Sequence, residues 1–265
     1  LFNIYSQQIF RTLDKISYIW RIIKTGLEAA SRLDKILELD SNIKNPESPY
    51  SPKEIKGKVE FVDVDFGYNG EDVVLKDVNF TAYSGKTIAI VGPTGGGKTT
   101  FVNLIARLYD VRNGQIKVDD VDVKDWDLTT LRESIGYLIQ DTFLFEDTIL
   151  NNLKYDNPKV TEKEALEMFK FLGVESFIKS QPKGLETKID SDGTGISSGQ
   201  RQIIALARIL LRNPKILILD EATARIDTKS EKLLQTAIEK AAENKTTFVI
   251  AHRLSTIFNA DHIIL

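Results

Sequence analysis

Cysteine is absent from the 265 residues, which excludes a disulfide framework and any thiolate-ligated metal. Only 2 histidines are present, too few for the usual His-rich zinc sites. Neither sign of charge dominates: 35 Lys and Arg stand against 38 Asp and Glu, a net charge of −3. Bulk positive charge of the kind that holds a nucleic-acid backbone is therefore missing. No uninterrupted run of about eighteen apolar residues occurs, so no segment reads as a bilayer-crossing helix. The N-terminus also lacks the basic start and apolar run of a secretion signal. The first residue is Leu1 rather than Met, and the last lie inside the apolar run Ile263-Ile264-Leu265. That reads as a piece continued at both ends.

What remains is a chain that is 42% hydrophobic and 28% charged, the balance of a folded globular protein. Its length suits one large domain or two small ones at about 150 residues each. Residues 1–40 read as one long amphipathic helix. Leu13, Ile16, Trp20, Ile23, Leu27 and Ala30 recur at steps of three and four, which lays them on one stripe for a core or a coiled coil. Residues 41–55 read as a linker, with Pro46, Pro49 and Pro52 close together.

From residue 56 the period changes. Val59, Phe61, Val64 and Phe66, then Val74, Val78 and Phe80, predict antiparallel strands with one wet face. Thr87–Val91, Lys215–Leu219 and Thr246–Ile250 are short continuous apolar runs rich in β-branched residues, as in strands buried on both faces. Helical stretches over Lys98–Tyr109 and Lys229–Glu243 fall between them. Strand–helix alternation of this kind predicts a parallel α/β sheet, and Thr161–Ile178 reads as a helical insertion.

Two constellations carry chemistry. Gly92-Pro93-Thr94-Gly95-Gly96-Gly97-Lys98-Thr99 fits G-x-x-x-x-G-K-[ST], after a buried strand and before a helix. Its glycines let the backbone wrap a phosphate, with amides and the helix N-terminus aimed at the anion. Lys98 would bridge the β- and γ-phosphates and the Thr99 hydroxyl would bind Mg²⁺. Ile216–Leu219 then ends in Asp220 and Glu221, placing two carboxylates at the carboxyl edge of the sheet, where such folds bind ligands. Asp220 is assigned to Mg²⁺, and Glu221 to orienting or deprotonating water.

With these motifs the chain resembles the ATP-binding domain of an ABC exporter half-transporter, over about Val59 to the end. The resemblance implies an α/β P-loop NTPase core of RecA-like type, an antiparallel β subdomain and an α-helical subdomain insertion, together spanning 56–265. Tyr68 matches the aromatic that stacks on adenine, although an exposed strand aromatic would look the same. Thr100 joins Lys98 and Thr99 in the nucleotide site. Gln140 matches the Q-loop glutamine, a metal contact and relay to the membrane domain. Ser197-Ser198-Gly199-Gln200 stands at the signature, Ala224-Arg225-Ile226-Asp227 at the D-loop with Asp227 at the nucleotide, and His252 at the switch histidine. Residues 1–40 resemble the cytoplasmic end of the last transmembrane helix and its connector. Phe145–Ile149 lies where the family meets the membrane domain's loops. There Glu146 and Asp147 would face basic or polar residues, or only solvent.

The implied function is Mg-ATP binding and hydrolysis powering export, at the cytoplasmic face of the cell membrane. The implied partners are the transporter's own membrane domain and a second ATP-binding domain, with no nucleic acid; this piece by itself reads as soluble. Ser198 replaces the usual signature glycine, and Ala224-Arg225 replaces Ser-Ala. These departures resemble the subunit of bacterial heterodimeric exporters that keeps its catalytic glutamate but has a weakened signature, with a homodimer as the alternative. Two further alternatives are a soluble ABC ATPase of DNA maintenance or translation and a non-hydrolysing sensor.

Overall fold

A computed structural model describes residues 2–38, 40–68, 72–139, 142–189, 196–220, 228–250 and 260–265. The chain divides into two compact units, Leu1–Lys44 and Asn45–Leu265.

The first unit is one helix, α1 (Phe2–Leu37). No proline occurs before Pro46 and Gly26 is the only glycine in the stretch, so nothing stops the helix early. Leu13, Ile16, Trp20, Ile23 and Leu27 are exposed along it, and the helix is not apolar enough to cross a membrane.

The second unit runs β1 (Val59–Phe66), β2 (Leu75–Ala82), β3 (Thr87–Ile90), α2 (Lys98–Ile105), β4 (Asn113–Val118), β5 (Val121–Asp122), α3 (Leu128–Glu133) and β6 (Ile135–Leu138). It continues with α4 (Ile149–Lys154), α5 (Glu162–Phe171), α6 (Glu175–Lys179), α7 (Ser198–Leu210), β7 (Ile216–Asp220), α8 (Thr228–Ala242), β8 (Thr246–Ile250) and β9 (His262–Ile264). One sheet is antiparallel, in the order β2-β1-β4-β5, and the other is parallel, in the order β6-β7-β8-β3-β9.

The apolar spacing of β1 slips by one residue after Phe61, and the structure supplies the reason. Val62 pairs with Gln115, but the next pair is Asp65 with Asn113, and Asp63 takes a φ of 48°. This bulge carries an extra residue, so Val59, Phe61, Val64 and Phe66 all stay buried on the core side. The continuous apolar runs have a different cause. In β7, Ile216 and Ile218 pack into a core shared with β1, β4 and α2, while Leu217 and Leu219 enter a second core built by α4 to α8. Both faces of the parallel sheet are covered, so every position favours an apolar side chain.

Two helix boundaries differ from the sequence reading. The helix expected over Lys98–Tyr109 ends at Ile105, because Arg107 adopts a left-handed φ of 46°. The helical insertion over Thr161–Ile178 is two helices, α5 and α6, divided at Gly173 with a φ of 72°. Helix α5 opens on a capping box in which Thr161 and Glu164 satisfy each other's backbone amides.

Candidate functional site

The loop between β3 and α2 is where the two halves of the phosphate motif meet. Gly97, at φ 83° and ψ 6°, is the left-handed N-cap of α2. A Cβ there would lie 3.1 Å from Leu75 Cδ2 and 3.2 Å from Val74 Cγ1, so glycine suits the left-handed dihedral at a place where a side chain would press on its neighbours. The amide of Gly96 donates to the Pro93 carbonyl at 3.1 Å, closing the turn. Lys98 is nearly buried as a residue, at 9% exposure, and its ammonium points back into the loop. It donates to the carbonyls of Gly92 at 3.0 Å and Pro93 at 2.9 Å, so the cation sits within the curl of the loop.

Asp220, at the carboxyl end of β7, meets the next residue of α2: Thr99 Oγ1 donates to Asp220 Oδ2 at 3.5 Å. A hydroxyl and a carboxylate oxygen beside a phosphate-binding loop are hard oxygen donors, a set that suits Mg²⁺. Tyr137, on β6, donates its hydroxyl to Asn103 Oδ1 on α2 at 2.9 Å. Burial and then the nearby Asp220 charge push its pKa well above the ordinary tyrosine range.

Tyr68 stands just beyond β1 and is 49% exposed as a residue. Its hydroxyl shares a hydrogen bond of 2.8 Å with Thr100 Oγ1. Its ring meets Phe66 and Tyr109 edge to face, at centroid distances of 5.0 and 5.1 Å.

A second constellation heads α7. Ser197 is the N-cap: its Oγ accepts from the Gln200 amide at 3.3 Å, and Gln200 Oε1 accepts from the Ser197 amide at 2.9 Å. Ser198 is the first helical residue and Gly199 is buried behind it. The Gln200 side chain is thus engaged in the cap, a role its place in the signature did not suggest.

The loop before α4 is organised by a residue the sequence reading passed over. Asn152, buried in α4, accepts from the Phe145 amide at 2.8 Å and donates to the carbonyls of Phe145 and Thr148, both at 3.0 Å. Asp147 accepts from the Thr148 amide at 2.7 Å and from Asn151 Nδ2 at 2.8 Å. The Asn151 bond first, then the amide, holds its carboxyl below the usual carboxylate range. Phe145 stacks on Tyr155 at 4.2 Å and meets Phe143 edge-on at 4.9 Å. Nearby, Leu108, Tyr137, Arg132, Arg208, Arg212 and Asp156 line a cleft of about 290 Å³. Burial lowers the pKa of Arg208, whose Nη2 donates to the Phe143 carbonyl at 3.3 Å.

Of the residues singled out from the sequence, Tyr68, Lys98, Thr99, Thr100 and Asp220 are linked around α2, and Ser197 to Gln200 cap α7. Gln140, Glu221, Ala224, Arg225, Asp227 and His252 lie outside the described residues. Thr100, Tyr109 and Asn103 take their meaning from contacts distant in sequence and Asn152 from local bonds to the loop before it, and only the position of Thr100 directly after the phosphate motif hinted at a place in the site.

Comparison with known proteins agrees with this geometry. The profile of the family described as ABC transporter matches residues 75–224. The fatty acid ABC transporter ATP-binding/permease protein of Mycobacterium bovis is 40% identical over 261 residues, covering 98% of this chain and 41% of that protein. The ATP-dependent lipid A-core flippase of Syntrophus aciditrophicus is 41% identical over 257 residues, covering 97% of this chain and 43% of its own length. The structure of a bacterial Atm1-family ABC exporter with ATP bound superimposes with a TM-score of 0.81 at 34% identity, over 97% of this chain and 45% of that one. The chain thus spans less than half the length of these relatives. On this combined footing the chain belongs to the ABC transporter family and carries its ATP-binding domain.

Proposed function

We propose that this chain binds Mg-ATP and hydrolyses it to ADP and phosphate to drive export of a substrate across a membrane. The observation that carries the reading is the Thr99–Asp220 contact at 3.5 Å, beside a lysine already held inside the loop that would receive the phosphates. In this reading the Lys98 ammonium moves from the loop carbonyls to the β- and γ-phosphate oxygens, and the amides of Gly95 to Thr99 surround the β-phosphate. Thr99 and Asp220 would hold Mg²⁺, Asp220 through its water shell, with Gln140 as a further contact. The ion, when bound, would supply charge neutralisation for the phosphoryl group being transferred. Glu221, next in the chain after Asp220, orients the attacking water and accepts its proton. The water oxygen bonds to the γ-phosphorus as the bond to the β–γ bridging oxygen breaks. His252 contacts the γ-phosphate, and Tyr68 stacks on the base.

Ser197, Ser198, Gly199, Gln200 and Asp227 would face the nucleotide bound by a second ATP-binding domain. Ser198 puts a side chain where the family has glycine, which supports a heterodimer in which this chain's signature is the weaker one. The membrane domain would rest on the surface around Phe143 and Tyr155, both exposed, at the cytoplasmic face of the membrane. Asp147, engaged with α4, shapes that loop, and the cationic side chains of the neighbouring cleft complement acidic residues of the arriving element. The named relatives are ATP-binding/permease proteins and flippases, which favours transport over a soluble ATPase of DNA maintenance or translation.

The deciding experiment is Glu221→Gln in the assembled transporter. ATP binding should persist while hydrolysis falls by about 10²-fold or more, the contribution of a positioned general base. Near-normal turnover would remove Glu221 from the mechanism.

A further inference from the structure

Tyr68 is half exposed, yet it is held at two places. An exposed tyrosine hydroxyl ordinarily bonds to water; here it bonds to Thr100 Oγ1 at 2.8 Å, and Thr100 is only 6% exposed. The ring is flanked by Phe66 and Tyr109 at interplanar angles of 86° and 87°, the edge-to-face arrangement that aromatic quadrupoles favour. Thr100 also belongs to the first turn of α2, two residues beyond Lys98.

We infer that Thr100 and Tyr109 are positioning residues that fix the ring of Tyr68 as a preset platform for the nucleotide base and tie that platform to the helix that receives the phosphates. The inference rests on reading Tyr68 as the base-stacking residue. A free tyrosine on a strand end would have to be ordered when the base arrives, and that entropy would be lost from affinity. Here the hydroxyl and the flank of the ring are already held, so the cost falls on folding rather than on binding. The anchor lies on the same helical turn as Lys98, so the spacing between base platform and phosphate site is built in. The Tyr109 hydroxyl has no part in this; its ring does.

The test is calorimetric titration of the chain with Mg-ATP and, separately, with Mg-tripolyphosphate, which has the phosphates without a base. Tyr68→Phe keeps the ring and removes its anchor, and Tyr109→Leu removes the flanking ring. Each should weaken ATP binding by about 2- to 10-fold, the effect of one lost hydrogen bond or ring contact, and leave tripolyphosphate affinity unchanged. Thr100→Val should weaken ATP binding at least as much as Tyr68→Phe does and Thr100→Ser should restore it, while Tyr109→Phe should keep the affinity of the unaltered chain. Equal losses for both ligands would mean a disturbed α2 and would overturn the inference. So would unchanged ATP affinity in Tyr68→Phe and Tyr109→Leu when Tyr68→Ala loses affinity for ATP alone; in that case the base-stacking role of Tyr68 survives. A Tyr68→Ala variant that binds both ligands normally removes that role as well. Far-UV circular dichroism of each variant separates failed folding from failed binding.

Discussion

Replacing Lys98 with alanine tests the phosphate loop most directly, and the structure sets the size of the effect. Lys98 as a residue is 9% exposed, and its ammonium donates to two carbonyls of its own loop, at 3.0 and 2.9 Å. Two of its donor positions are thus already taken by carbonyls, and its exchange onto phosphate oxygens swaps neutral acceptors for charged ones. The gain is a charge-assisted hydrogen bond to an anion, about 1.5–3 kcal/mol. At 1.4 kcal/mol per decade, that is a loss of roughly 10- to 150-fold in ATP affinity for Lys98→Ala. Folding should suffer much less, since the carbonyls of Gly92 and Pro93 are within reach of water and recover their hydrogen bonds there. A fall of under about 1 kcal/mol, or less than about 4 °C in Tm, is expected. Isothermal titration with Mg²⁺ present gives the affinity, and a thermal melt gives the stability. Unchanged affinity would refute the assignment of Lys98. A melt lowered far enough to unfold the loop at the titration temperature would refute the separation of binding from folding.

Asn152→Ala should cost about 1–3 kcal/mol in urea unfolding, because the Phe145 amide loses its partner beside a buried helix face; a cost near zero would mean that the loop before α4 is held by other contacts. Asp127 caps α3, and the amide and hydroxyl of Thr130 hold its carboxyl below the usual range. Its contribution is therefore present above the unfolded carboxylate value, about 3.9, and fades as pH falls through the lower folded value. Asp127→Asn should accordingly melt below the unaltered chain at pH 7, with the gap closing in acid; a gap independent of pH would contradict this. Ser198→Gly in the full transporter should barely raise turnover if the partner chain lacks its own catalytic glutamate, whereas equal improvement at both sites would indicate a homodimer.

Elements were legible in the sequence wherever burial was uniform along them. β3, β7 and β8 are covered on both faces, so their composition alone marks them as parallel strands. β6 was not seen: it has four residues, one of them Gly136, against which the side chains of Ile209 and Pro214 close. β4 opens on the exposed Asn113, Gly114 and Gln115, so it shows no alternation until its last residues. The end of α2 was misplaced because a left-handed Arg107 leaves no mark in a hydrophobic pattern. The phosphate loop was legible because its parts are contiguous and each type is demanded by local backbone geometry. The supports of Tyr68 and of the Phe145 loop were not, since the former pairs residues 32 positions apart and the latter rests on one buried amide.

The two cores meet across β7, as they do across β8, where Phe248 and Ile250 face one and Val249 the other. Neighbouring side chains along β7 answer to different layers, Ile216 and Ile218 to the β-rich side, Leu217 and Leu219 to the helical side. A layer that tilts carries along the side chains that face it, but the strand is clamped from the other side as well. The position of the carboxylate at its tip, Asp220, is therefore set jointly by the two layers that pack on the strand.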